Sequence, residues 1–301
     1  APAAPPIPQP VTPGAMALYP LLHRERPVIM GVLNLTPDSF SDGGSYAGAE
    51  AAVARARAMV AEGAEIIDVG GESTRPGARR IPPAEQKARV LDVVAGLAES
   101  LPPEVLISID TTRAEVAAAA LDAGAGMVND VSAGREDPEV FPLAAARGVP
   151  LVLMHMQGEP ATMQEDPRYG DVVAEVCAFL ADRAAAAEAA GVPPAAIVLD
   201  PGIGFGKTQA HNEALMAALG RVVALGRPVL LGASRKRFLG AITGEEDPGR
   251  RVGATCATTV LGMAAGVRLF RVHDVGPHRQ AAEVAWRLGT PRPPPGAGAA
   301  G

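Results

Sequence analysis

Short runs of apolar residues recur along the chain, each followed by an alanine-rich stretch whose apolar positions repeat at helical spacing. The runs cover 28–35, 65–70, 105–111, 126–132, 150–156, 197–202, 228–233 and 268–273. Most are near-continuous rather than alternating, as strands buried on both faces read. The helical stretches cover 47–62, 83–100, 113–123, 137–147, 171–190, 210–225, 247–265 and 277–288. Pro82-Pro83, Pro138 and Pro248 fall near helix starts, where a missing N–H costs nothing. Gly63, Gly124, Gly148 and Gly191 follow helix ends, where a left-handed residue is wanted. Eight β–α units in about 260 residues predict a closed (β/α)8 TIM barrel, class α/β, in a single domain. An open doubly wound sheet is the alternative, but it rarely reaches so many regular units without a second domain.

The pattern also sets the boundaries. Residues 1–27 are rich in Pro and Ala without periodicity and read as an N-terminal arm or partial cap. The barrel then spans 28–290, and 291–301 reads as a disordered tail.

A barrel of this kind gathers its active-site groups at the C-terminal ends of its strands. Asn34 interrupts the first apolar run near its end, and the second runs into Asp68-Val-Gly-Gly-Glu-Ser-Thr-Arg-Pro-Gly77. The third ends at Asp110-Thr-Thr, the fourth at Asn129-Asp130, the fifth at His155 and the sixth at Asp200-Pro-Gly. The seventh leads to Ser234-Arg-Lys-Arg237 and the eighth ends at Arg271-Val-His-Asp274. Polar groups at every strand end converge on one rim, where leaving them buried and unpaired would cost about 1–3 kcal/mol each.

Composition narrows the function. The chain has 301 residues, 48% hydrophobic and 20% charged, the balance of a globular protein. No apolar run approaches the ~18 residues of a membrane span, and the first residues lack the layout of a secretory leader. A formal charge of −6 argues against general nucleic-acid binding. Cys177 and Cys256 are far apart in apolar helical contexts and read as buried free thiols, consistent with a cytoplasmic protein. Only Lys87, Lys207 and Lys236 are lysines among 27 basic residues, and Asn34, Asn129 and Asn212 are the asparagines. A residue kept against such a bias is a candidate for chemistry of its own.

Some signals are weak. Gly202-Ile-Gly-Phe-Gly-Lys-Thr208 resembles a nucleotide loop, but Pro201 stands where a Walker A needs Gly and Lys207 where the dinucleotide fingerprint needs Gly or Ala. His23 and His278 read as solvated, Trp286 as packing, Asn212 as capping or flanking the sixth helix, and Arg79-Arg80 as a solvated pair. His155 reads equally as a core histidine or a site residue. No spacing suggests a transition-metal cage.

Three groups remain on the rim. Arg75, Arg235, Lys236, Arg271 and His273 form a cationic set suited to phosphates. Asn34 adds an oxygen ligand for Mg²⁺, which binds few protein groups and keeps phosphate and water oxygens. Asp110, Asn129 and Asp200 suit the N–H-rich amino-pyrimidinone edge of a flat heterocycle. Loops 36–46 and 71–80 are placed to close over a second substrate. The bland alternative is a network of Asp–Arg and Asp–Lys pairs that only holds the mouth together, and it would not need two long Gly-rich loops.

These residues resemble one family, the dihydropteroate synthases, in their bacterial monofunctional form. The resemblance rests on Gly31-Val-Leu-Asn-Leu-Thr-Pro-Asp-Ser-Phe-Ser-Asp-Gly-Gly44, the 68–77 segment, Ser108-Ile-Asp-Thr111, Asn129-Asp-Val-Ser132, Leu153-Met-His-Met-Gln-Gly158, Asp200-Pro-Gly-Ile-Gly-Phe-Gly-Lys207, Gly232-Ala-Ser-Arg-Lys236 and Arg271-Val-His273. It implies a homodimeric, Mg²⁺-dependent transferase of folate biosynthesis, the sulfonamide target. Such an enzyme joins 6-hydroxymethyl-7,8-dihydropterin diphosphate to 4-aminobenzoate, giving 7,8-dihydropteroate and diphosphate.

By the same resemblance, Asp110, Asn129, Asp200, Lys236, Met154, Phe205 and Gly232 form the pterin site. Asn34, Thr74, Arg75, Arg271 and His273 hold the diphosphate, with Asn34 on the metal. Phe40, Thr74, Pro76, Ser234 and Lys236 shape the aminobenzoate pocket. Asp110, Asp200, Lys236, Arg271 and His273 carry the catalysis. Two rivals are a pterin-binding methyltransferase barrel, which would not need 36–44 or Ser234-Arg-Lys236, and a non-catalytic paralogue, which should lack a loop or ligand.

Overall fold

The computed structural model describes residues 21, 26–35, 46–73, 77–78 and 80–289. The expectations placed on Phe40, Thr74, Arg75, Pro76, His23, Arg79 and the tail lie outside the described residues.

The strands are β1 (Val28–Asn34), β2 (Ile66–Gly70), β3 (Leu106–Asp110), β4 (Met127–Asp130), β5 (Leu151–Met154), β6 (Ile197–Asp200), β7 (Leu230–Leu231) and β8 (Leu269–Val272). The helices among the described residues are α1 (Tyr46–Ala61), α2 (Pro83–Ser100), α3 (Ala114–Asp122), α4 (Val140–Arg147), α5 (Val172–Ala189), α6 (Gln209–Ala217), α7 (Leu219–Val223), α8 (Arg237–Thr243), α9 (Val252–Ala264) and α10 (Val275–Gly289). All strand pairs are parallel, in the order β6-β5-β4-β3-β2-β1-β8-β7. A parallel bridge between Leu199 and Val229, with Leu199 N–H donating to Pro228 O at 2.9 Å, closes β6 onto the β7 segment. The sheet is therefore a barrel and not an open doubly wound layer.

Two helical expectations change in detail. The stretch 210–225 is broken at Ala218, which leaves helical geometry at φ −109°, ψ 17° and separates α6 from α7. Helix α8 was not foreseen: its 7 residues, ended by left-handed Gly244, are too short to show a period. Strand β7 is shorter than its apolar run: at its start Pro228 brings no N–H to a ladder and Val229 pairs only as a bridge to Leu199.

Residue parity sorts the core. Val28, Met30, Ile66, Met127, Val152, Val198, Leu230 and Leu269 point into the barrel and pack there with Leu21. The alternate residues, among them Ile29, Ile67, Ile109, Leu151, Ile197 and Phe270, pack outward against the helices. Each fully buried Leu, Ile or Met of this kind contributes about 1.5–3 kcal/mol. Two residues further along the same inward faces, the chemistry changes. Ile66 gives way to Asp68, Met127 to Asn129, Val152 to Met154, Val198 to Asp200, Leu230 to Gly232 and Leu269 to Arg271. The barrel is thus apolar at its N-terminal end and polar at its C-terminal mouth. Among the described residues, no helix is long and apolar enough to cross a membrane.

Candidate functional site

The floor of the mouth is a charged lattice. Asp68 on β2 is fully buried, and its Oδ2 accepts from Asn129 Nδ2 at 3.0 Å and from Arg271 Nε at 2.7 Å. Arg271 Nη2 donates to Asp110 Oδ2 at 2.9 Å. The register Gly70↔Asp110 and Asp110↔Asn129 sets the last two at one level, one inward layer above Asp68. Burial pushes the Asp110 carboxyl up to about 7; Arg271 opposes the shift, and Asp68, Asp130 and Glu72 reinforce it. Asp130 itself faces away and is spent locally, accepting from the Ser132 hydroxyl and N–H and from Gly134 N–H.

The second wall is the β6–α6 loop. Asp200 Oδ1 accepts from Gly202 N–H at 2.7 Å, and burial raises its pKa against the pull of Lys236. A Cβ on Gly232 would come within 3.9 Å of Asp200 Oδ2, so the glycine keeps the space before that carboxylate open. Gly202 cannot be replaced freely: it sits at φ +65°, and a Cβ there would lie 1.8 Å from His155 O. Lys236 Nζ donates to Ile203 O and stands 4.6 Å over the Phe205 ring. Burial lowers its pKa to about 8, against Asp200. Met154 and Phe205 join Val131, Met156 and Met163 in an apolar patch at the same mouth.

Lys207, given no role from the sequence, holds this loop together. Its buried Nζ donates to Gly202 O at 2.9 Å and Phe205 O at 3.0 Å, and lies 2.9 Å from His155 Nδ1. Burial, with Lys207 and Arg135 nearby, pushes His155 down to about 3, so the ring is neutral and Nδ1 accepts. Of the two readings of His155, the buried packing histidine prevails: its ring also meets Phe179 edge-on at 4.9 Å. Asn212 also does more than flank its helix, since its Oδ1 accepts from Gly204 N–H at 2.7 Å. Thr208 and His211 form the capping box of α6 instead.

The β7–α8 turn separates neighbouring side chains by strain. Arg235 adopts φ 59°, unusual for a residue with a Cβ. Its guanidinium is turned away to Asp274, at 2.9 and 2.6 Å, while Thr255 Oγ1 accepts from its N–H and Arg251 Nη1 donates to its carbonyl. This corrects its place in the cationic set: Arg235 is a strut, and the turn sends Ser234 and Lys236 the other way. Ser234 Oγ accepts from His273 N–H at 3.1 Å and lies 3.0 Å from its Nδ1.

Other expectations also change. His278 is not solvated; it is fully buried on the face of α10 that carries Val275 and Ala282, with Nδ1 2.8 Å from Thr259 Oγ1. Arg80 is not a free surface charge: it joins Glu72 at 2.9 Å to Glu136, whose Oε2 accepts from Thr112 at 2.7 Å. Trp286 is half-buried on α10, and both cysteines are half-buried free thiols.

The structure thus brings together Asp110, Asn129, Asp200, Lys236, Arg271, His273, Ser234, Met154, Phe205 and Gly232, with Asn34 in register with Gly70 beside Asp110. Asp68 and Lys207 were missed. Inward parity on β2 marks the first, and lysine scarcity marks the second. Among the described residues, no cluster of three His, Cys, Asp or Glu side chains could hold a metal. A single amide oxygen at Asn34 still fits a hard cation that takes its other oxygens from a diphosphate and water.

Known proteins resemble this chain over most of its length. Residues 30–273 match the family model described as pterin binding enzyme. A curated relative, the dihydropteroate synthase of Mycobacterium leprae, is 52% identical over 253 residues, covering 82% of this chain and 88% of its own. The solved Xanthomonas albilineans dihydropteroate synthase with 4-aminobenzoic acid has a TM-score of 0.83 at 45% identity, covering 90% of this chain and 95% of its own. The same enzyme in complex with 7,8-dihydropteroate has a TM-score of 0.80 at 43% identity, over 90% and 96%.

Proposed function

The chain belongs to the dihydropteroate synthase family of pterin-binding enzymes, and we propose on that premise how its own residues divide the reaction. It condenses 6-hydroxymethyl-7,8-dihydropterin diphosphate with 4-aminobenzoate, giving 7,8-dihydropteroate and diphosphate. The observation that carries the residue assignment is the lattice of Asp68, Asp110, Asn129, Asp200, Lys236 and Arg271 at one mouth, beside an apolar patch.

Asp110, Asn129 and Asp200 receive the N–H edge of the pterin, and Met154, Phe205 and the open space at Gly232 accommodate its flat ring. Lys236 closes the edge from the side of Asp200. Arg271 and His273, with Asn34, Thr74 and Arg75, receive the diphosphate. Phe40, Thr74, Pro76, Ser234 and Lys236 shape the aminobenzoate pocket.

As the bond from the pterin methylene to the diphosphate oxygen breaks, positive charge spreads into the ring and negative charge onto the leaving group. Asp110 and Asp200 stabilise the first; Arg271 and His273 stabilise the second. Mg²⁺ held through Asn34, when bound, supplies further neutralisation of the leaving diphosphate. The aniline nitrogen then forms the new C–N bond and loses a proton, without a strong base. Loops 36–46 and 71–80 exclude water from the reactive carbon.

A homodimer is the proposed assembly: Val260 and Leu261 on α9 and Val284 and Leu288 on α10 expose large apolar side chains on packed helices. The cytoplasm is the proposed compartment, in keeping with two unpaired cysteines. Calorimetry on Asp200→Ala tests the pterin assignment. Loss of pterin binding is expected, and wild-type affinity would remove Asp200 from the site.

A further inference from the structure

Asp68 stands outside the pterin, diphosphate and aminobenzoate assignments, yet it touches two of the groups that make them. Its carboxylate is fully buried, one inward layer below Asp110 and Asn129. One oxygen, Oδ2, receives both Asn129 Nδ2 at 3.0 Å and Arg271 Nε at 2.7 Å. Both partners are N–H donors with no lone pair to offer, so this oxygen is the acceptor in each bond. An amide has two ends of nearly equal size, so its orientation is decided by what each end meets.

We propose that Asp68 is a positioning residue that fixes the Asn129 amide with its nitrogen inward and its oxygen toward the mouth. This rests on the pterin reading of the mouth given above. With Asn129 Oδ1 turned outward, the mouth offers acceptors from three strands: Asp110 on β3, Asn129 on β4 and Asp200 on β6. The array then selects heterocycles that present N–H donors along one edge and disfavours those that present a lone pair opposite Asn129. The same carboxylate accepts from Arg271 Nε while Asp110 Oδ2 accepts from Arg271 Nη2 at 2.9 Å, so two carboxylates fix the guanidinium plane.

Three variants test this. Asp68→Asn removes the charge and the obligate acceptor while keeping the shape. Asn129→Asp sets two carboxylates face to face. The double swap, Asp68→Asn with Asn129→Asp, restores a donor below and an acceptor above at unchanged net charge. Each is titrated calorimetrically with 6-hydroxymethyl-7,8-dihydropterin diphosphate, and the KM for 4-aminobenzoate is measured at saturating pterin substrate. Thermal melting is followed for each, and affinities are compared well below each melting temperature; the swap keeps the hydrogen bond between positions 68 and 129 and the net charge, but leaves a neutral amide against Arg271 Nε.

Each single variant should weaken pterin binding roughly 10- to 100-fold, the loss of a charge-assisted hydrogen bond. The swap should recover at least about tenfold of that, and the aminobenzoate KM should stay near wild type throughout. Wild-type pterin affinity in folded Asp68→Asn, or a swap no better than the singles, would overturn the role of Asp68. Failure of the unmodified protein to bind the pterin substrate would instead overturn the functional reading beneath it.

Discussion

Arg271 Nη2 donates to Asp110 Oδ2 at 2.9 Å, joining the last strand of the barrel to the third across its mouth. Asp110 is raised to about 7 by burial even with that arginine beside it, and Lys236 on the facing wall is lowered to about 8. The reaction as assigned needs Asp110 ionised and Lys236 protonated. The rate should therefore fall as pH drops below about 7 and again as it rises above about 8. A kcat/KM profile flat from pH ~5 to ~9 would contradict both assignments.

Lys236 Nζ meets Ile203 O, the Phe205 face and the field of Asp200. Lys236→Gln keeps a hydrogen-bonding end but loses the charge. A charged hydrogen bond worth about 1.5–3 kcal/mol implies roughly 10- to 100-fold slower turnover. Steady-state kinetics indistinguishable from wild type would remove Lys236 from the site.

Lys207→Met should act through the loop. It strips a donor from Gly202 O, Phe205 O and His155 Nδ1; Gly202 O keeps the Phe205 N–H, so the loss falls on the other two, and a buried acceptor left unsatisfied costs about 1–3 kcal/mol. A melting temperature several degrees lower is expected, together with weaker pterin binding, because the same loop carries Phe205 and the Ile203 carbonyl. Unchanged melting would show that the loop keeps its shape without the amine.

His278 gives the fold an acid limit. Burial lowers it from 6.5 to about 4 in the folded chain, with Asp274 opposing. The unfolded chain takes up a proton first as pH falls, so this stability is present above pH ~6.5 and is lost toward pH ~4, up to roughly 3 kcal/mol. His278→Gln should flatten the melting temperature between pH ~7 and ~5 relative to wild type. An equal slope in both proteins would assign the acid sensitivity to other groups.

The barrel was legible because parallel strands buried on both faces read as apolar runs, and all eight fall within their predicted spans. The mouth was legible because polar residues close those runs. What escaped depended on direction rather than composition. Nothing in Ser234-Arg-Lys236 announces the positive φ that turns Arg235 onto Asp274 and away from the mouth. Asp68 lies inside a quoted motif, but only strand register shows it beneath Asn129. His278 was misread although the signal existed, since Val275, His278, Arg279 and Ala282 follow helical spacing and all are buried.

The measurement that bears most directly on the account is product formation. The protein is supplied with Mg²⁺, 6-hydroxymethyl-7,8-dihydropterin diphosphate and 4-aminobenzoate, while diphosphate release and chromatography for 7,8-dihydropteroate are followed together. Release that requires aminobenzoate and matches dihydropteroate mole for mole is the predicted result. Tight pterin binding without product, or diphosphate release indifferent to aminobenzoate, would contradict it.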